Sequence, residues 1–120
     1  MVLTSIHIHI TQNPKDIRNE GIGDWWEPNN GAYQIMALDL GDDDSTAAVG
    51  IHEFIEQRLC EKHGIPEAVV NAWDAAHEGD EPGDDPEAPY HKEHMLATMV
   101  EDVVRKALGV DSVTDEREVN

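Results

Sequence analysis

Residues 50 to 65 read GIHEFIEQRLCEKHGI, a helical pattern in which His52 and Glu56 stand one turn apart on a single face. Two side chains in that relation can grip one metal ion between them, and Glu53 then sits beside it. Two protein ligands rarely hold such an ion firmly, so another element has to deliver a third. A second helical pattern supplies the candidates: Tyr90-His91-Lys92-Glu93-His94 opens the run YHKEHMLATMVEDVVRKALG with two His and one Glu packed into four residues. The constraint on the fold is that these two helices have to meet. His91 and His94 rank closest together for the third ligand, followed by Glu93 and then Asp74.

A helix that offers two metal ligands one turn apart, with a Glu directly after the first, is the arrangement of the zincin helix. In that helix the Glu acts as general base on a metal-activated water. Where HExxH has its second His, this chain has Glu56. His52, Glu56 and a His from residues 91 to 94 make a His₂Glu set, a common composition for catalytic zinc. Zn²⁺ lowers the pKa of a bound water from ~15.7 to about 7. On this reading Glu53 takes the proton, an amide or ester carbonyl is attacked, and Tyr90, beside His91, donates to the developing oxyanion.

The run HEFIEQRLCEKHGIPEAVVNAWDAAHE, followed by an acidic Gly/Pro loop and then PYHKEHMLAT, resembles small bacteriophage- and prophage-encoded proteins of zincin-like type. The likeness covers about residues 47 to 109, with two separated blocks in the same order. It implies a metal-binding helical core and a phage origin, and it carries no substrate with it. Relative to true zincins, Glu56 replaces a His, and neither a Met-turn nor a helix with a distant ligand Glu is present in the sequence.

With 26 acidic against 8 basic residues the formal charge is −18, which excludes an electrostatic footprint for DNA or RNA and disfavours anionic membranes. The acid gathers at residues 42 to 44, 78 to 87 and 111 to 118. The expected partner is therefore a protein or peptide substrate, or a host protein. The rival to a metal-dependent hydrolase is a non-enzymatic acidic phage protein that binds a host protein, as a nucleic-acid mimic, with a structural metal or none. The single Cys60 cannot form an internal disulfide and reads as a small buried hydrophobe, which suits a reducing compartment. No stretch is long and apolar enough to span a bilayer, and MVLTSIHIHI lacks a charged leader with a cleavage site. The expected location is the cytoplasm, the host's if the protein is phage encoded.

The length fits one domain over residues 1 to 110 with an acidic tail over 111 to 120. VLTSIHIHI alternates as a half-buried strand, Ile6, Ile8 and Ile10 inward, His7 and His9 toward solvent. Residues 11 to 31 are rich in turn formers and read as a long loop or loose hairpin, in which at least one of Trp25 and Trp26 plugs the core. AYQIMALDL is a second strand. The Asp triplet with Ser45 or Thr46 caps a helix starting near Thr46, with Ala47, Ala48, Ile51, Phe54 and Ile55 as its core stripe. His52, Glu56, Leu59 and His63 then lie on a half-buried flank, and His63 reads as a cation at the helix C-terminus. Pro66 starts a short helix on which Asp74 or His77 can orient a ligand His. Residues 79 to 89 read as a flexible acidic element beside the site. Leu96, Met99, Val100, Val103, Val104 and Ala107 form the core stripe of a last helix closed by Gly109, which points Glu93 inward and His91 and His94 away. The expected fold is α+β and zincin-like: a short N-terminal antiparallel sheet packed on two main helices and one minor helix.

Overall fold

A computed structural model of the protein describes residues 3–78 and 81–110, so the expected acidic tail lies outside the described residues. The sheet is built on strand β3 (Ala32–Leu38), where strict alternation sends Tyr33, Ile35 and Ala37 into the interior. Burying Ile35 fully contributes about 1.5–3 kcal/mol. Strands β1 (Ser5–Thr11) and β2 (Gly23–Trp25) flank it in the order β1-β3-β2.

The expectation of an antiparallel sheet is corrected for its long pair. β1 runs parallel to β3, with Ile8 opposite Ile35, and only the three-residue β2 is antiparallel. The reason lies in residues 11 to 31, which do not close a hairpin. They form two 3-10 turns, Pro14–Asp16 and Arg18–Glu20, and then β2 on the far edge of β3. That path is long enough for the crossover a parallel pair needs, which takes a dozen residues or more. β1 is left on the other edge, where Ile6, Ile8 and Ile10 stay largely exposed. Trp25 plugs the core as expected, while Trp26 lies beneath the Arg18 guanidinium, 4.7 Å from its centre.

Helix α1 (Asp43–Lys62) starts earlier than expected. Asp42 is the N-cap, its side chain accepting from the Ser45 amide, and Asp43 and Asp44 place negative charge in the first turn. Helix α2 (Glu67–Ala76) follows Pro66, and helix α3 (His91–Leu108) ends at the C-cap Gly109. The apolar core gathers Trp25, Ile35, Cys60, Val70, Ala88 and Tyr90, with Phe54, Ile65 and Trp73 packed against it. Among the described residues no helix is long and apolar enough to cross a membrane.

α3 overturns the amphipathic reading. Its buried face is Glu93, His94, Ala97, Glu101 and Arg105, whereas Leu96, Met99 and Val103 face outward. The cause is on α1. Arg105 pairs with Glu101 at 2.8 Å and reaches Ser45, Glu101 meets His52, His94 meets Glu56, and Glu93 meets His63. The partners climb α1 as they descend α3, so the two helices run antiparallel along a seam of charged pairs. Buried charge is tolerated only where it is paired, and this pairing fixes the rotation of α3.

Candidate metal centre

α1 turns His52 and Glu56 into the seam. They are not on a half-buried flank as the helical wheel suggests: His52, Glu56 and the α3 residue His94 are 7%, 5% and 4% exposed. One oxygen, Glu56 Oε2, lies 3.2 Å from His52 Nε2 and 2.9 Å from His94 Nδ1. Ligand atoms of the three residues all fall within 4.8 Å of one another, a spacing that can hold a metal ion.

Each ligand is oriented by a second group. The Trp25 indole N–H donates to Glu56 Oε1 at 3.0 Å, which fixes the carboxylate so that Oε2 faces both imidazoles. His52 Nδ1 lies 3.0 Å from Glu101 Oε1, an ion-pair contact rather than a well-aligned hydrogen bond, and Arg105 holds the other oxygen of Glu101. His94 Nε2 lies 3.0 Å from Asp84 Oδ1 and 3.4 Å from Glu81 Oε1. Carboxylates on the far ring nitrogen fix the tautomer and heading of a metal-binding His and raise its basicity.

Two glycines let strand β2 and the turn Pro82–Asp84 close over the centre. A Cβ on Gly83 would stand 2.4 Å from His94 Cγ, and one on Gly23 would stand 2.5 Å from Glu53 Cγ. Neither position has room for a side chain, so backbone itself forms the wall against a ligand and against Glu53. Of the expected flexible element, residues 79 and 80 lie outside the described residues; the rest folds over the site, and its 3-10 turn Pro82–Asp84 is tied by Trp73 Nε1–H to the Pro82 carbonyl at 2.9 Å.

Burial opposes charge throughout the group, and pairing overcomes it at Glu56, His52 and His94. Glu56 is desolvated, yet hydrogen bonds from His52 and His94 outweigh burial and hold its carboxyl well below the usual range. Burial works against a charged His52, but Glu101 and Glu56 keep its imidazole well above its ordinary value, and Glu56 raises His94 against the same burial. Glu53 goes the other way: burial, then the charge of Glu56, push its carboxyl well up. Burial also lifts Asp74 to about 6 and Glu81 to about 7. Glu53, Asp74, Glu81 and Tyr90 line, with His52 and His94, a cavity of about 90 Å³, room for a few waters.

Of the residues singled out in the sequence, His52, Glu56 and His94 come together, with Glu53 Oε2 at 3.7 Å from His52 Nε2. His91 does not join them. Its Nδ1 meets the Gly83 carbonyl at 2.9 Å, so it holds the turn that covers His94. Glu93 is turned to His63, 2.5 Å away, which gives His63 a buried partner beyond the helix dipole. Tyr90 donates its hydroxyl to Asp74, and burial raises its pKa further from the neutral range. His77 meets the Trp73 carbonyl at 2.8 Å, and Asp74 is a partner of Tyr90 rather than of a ligand His. His7 and His9 lie on exposed β1 as expected, and Cys60 is buried and apolar in its setting.

Sequence reasoning missed Trp25, Glu101 and Arg105 as supporting groups. A signal for the last two exists: His94, Ala97, Glu101 and Arg105 repeat at helical spacing, a chemical stripe beside the apolar one. No signal for Trp25 does, because its contact with Glu56 spans 31 residues and depends on β2. No protein-family model, curated protein or solved structure matches this chain.

Proposed function

We propose that the protein is a zincin-like metal-dependent hydrolase of the peptidase or amidase type, holding Zn²⁺ through His52, Glu56 and His94. The observation that carries the reading is the meeting of His52 Nε2, Glu56 Oε2 and His94 Nδ1 at the wall of a cavity, with Glu53 alongside. Two imidazole nitrogens and one carboxylate oxygen suit zinc, and three protein ligands are the usual number where a position stays open for chemistry. When bound there, the ion would supply Lewis acidity and lower the pKa of a water. Glu53 is the base: its Oε2 lies 3.7 Å from His52 Nε2, beside the point where the three ligand atoms meet. Arg105, Glu101 and Trp25 keep the ligands in place. The Tyr90 hydroxyl donates its hydrogen bond to Asp74, so its part is to shape the cavity wall. The resemblance to zincin-like phage proteins supports the same assignment, and a phage origin goes with it.

A second reading has one observation in its favour. Glu53 stands close enough to His52 to act as a fourth ligand, which would close the coordination sphere and leave a structural metal in a non-enzymatic acidic binder of a host protein. The Glu53→Gln variant separates the two. As a base, Glu53 is dispensable for metal content, so the variant should retain about one zinc per chain by elemental analysis while losing cleavage of a mixed peptide library read by mass spectrometry. Loss of zinc equal to that in Glu56→Gln would make Glu53 a ligand and retire the hydrolase.

A further inference from the structure

The two edges of the sheet are built differently. β2 is three residues long and carries Asp24, so it offers little to a further strand. β1 runs for seven residues, SIHIHIT, without Asp, Glu, Lys, Arg or Pro, and its pairing with β3 from Ser5 to Thr11 has no bulge. Charges, prolines, bulges and shortness are the devices that keep an exposed edge from taking on another strand, and β1 has none of them. The Thr11 carbonyl accepts from the Asp39 amide and the Ser5 amide donates to the Gly31 carbonyl, so the odd-numbered residues face β3. By the alternation of a strand, the N–H and C=O groups of Ile6, Ile8 and Ile10 point out of the edge, where no described strand meets them. The same three side chains are 42%, 45% and 61% exposed. Ile8 touches α1 at Gly50, where a Cβ would stand 2.9 Å from its Cγ2, so the isoleucines lie on the core side of the sheet at the margin of α1.

We infer that β1 pairs antiparallel with β1 of a second copy of this chain, joining the two sheets into one across a two-fold axis. What selects a second copy is the strand's own pattern: SIHIHIT reads the same in both directions, with Ser5 answering Thr11. A two-fold through Ile8 sets Ile8 against itself, Ile6 against Ile10, His7 against His9 and Ser5 against Thr11. Such a self-matching patch is what an isologous interface requires. Ile6, Ile8 and Ile10 then exchange backbone hydrogen bonds across the axis, and their side chains form one continuous row on the core side. Charge permits the approach. The chain carries 26 acidic residues, yet none falls within residues 1 to 15. The acidic residues bonded to the strand, Asp16 and Asp39, stand at its Thr11 end. Antiparallel pairing lays that end beside the Ser5 end of the second copy, where Thr4 meets Asn30 and Gly31 with no charged group among them. The joined sheet has the short β2 at both outer edges, so assembly stops at two copies and the strand that covers Glu53 stays outside the interface. The dimer needs neither the metal nor the hydrolase.

The test is sedimentation velocity of the full-length protein in chelator, at concentrations between roughly 1 µM and 1 mM, the span of weak to moderate association. The expected result is a reversible equilibrium of monomer and dimer that tightens with added salt, which screens the repulsion between two chains of charge −18. Ile10→Glu should weaken the dimer at least ~10-fold, because the two-fold makes the change count twice. Val103→Glu adds the same charge on the exposed face of α3 and should leave the dimer unchanged. In a mixture of isotope-labelled and unlabelled chains, the intermolecular NMR contact expected is between the Hα atoms of His7 and His9, the closely spaced pair of this register. That contact is read on the unsubstituted protein, so it decides the matter even if Ile10→Glu unfolds. A protein that stays monomeric throughout, assemblies larger than two, or a dimer weakened by salt would overturn the proposal. So would a dimer that survives Ile10→Glu, is lost in Val103→Glu, or shows intermolecular contacts elsewhere than along β1.

Discussion

The face of α3 that meets α1 buries Glu93, His94, Glu101 and Arg105, whereas the face turned to solvent carries Leu96, Met99 and Val103, the last two 63% and 68% exposed. By hydrophobicity alone the helix would be turned the other way, since apolar burial is favourable and each buried charge has a desolvation cost of several kcal/mol. What reverses it is complementarity with α1. Ser45, His52, Glu56 and His63 present a column of partners that only the charged face of α3 can satisfy. The seam thus gives up apolar burial and holds His52, Glu56 and His94 in one geometry, and amphipathic spacing is a poor guide wherever a helix meets a column of charged partners.

That contrast can be broken in three places, taken from the largest expected effect to the smallest. On the inner face, His94→Ala should lower zinc affinity by orders of magnitude, measured by competition with a chromophoric chelator. His91→Ala, one turn earlier and outside the cluster, should leave the stoichiometry unchanged. Matching losses in the two variants would mean that α3 enters the site differently. Glu101→Ala comes next. It removes the carboxylate that pairs with Arg105 and lies against His52 in the seam, and should cost about 3–5 kcal/mol in urea unfolding of the chelated protein. Zinc affinity should fall by roughly 10 to 100-fold, as expected for a carboxylate that orients a ligand His. A loss under about 1 kcal/mol would show that the seam is wetter than the burial of its residues implies. On the outer face, Met99→Ala and Val103→Ala should each stay within about 0.5 kcal/mol. A cost above about 2 kcal/mol would place that face inside a core after all.

The sequence told most where ligand chemistry coincided with helical spacing. His52 and Glu56 could be read from one turn of one helix, and so could Glu53, because no information from outside α1 was needed. The third member of the cluster could be narrowed to residues 91 to 94 but not chosen, since that choice depends on the rotation of α3 about its own axis. The apolar stripe from Leu96 to Val103 gave that rotation wrongly, because it registers hydrophobicity and not the charged partners waiting on α1. The sheet failed for a related reason. The alternation in VLTSIHIHI and AYQIMALDL fixes which residues share a face, but the direction of pairing is set by the path of residues 11 to 31. Turn formers announce that the chain bends there without saying where it goes.

Glu56 and His94 are 38 residues apart in the chain. An ion held between them therefore closes a long loop that contains all of α2 and the turn Pro82–Asp84, elements that contribute no ligand. On the chain-entropy scale used for disulfides, tying off a loop of that length removes freedom from the unfolded chain worth about 4 kcal/mol. A chain with Cys60 as its single thiol cannot make an internal covalent cross-link. The proposed zinc would take that place, reversibly, and what it staples is the stretch whose Gly83 backbone lies against the His94 ring.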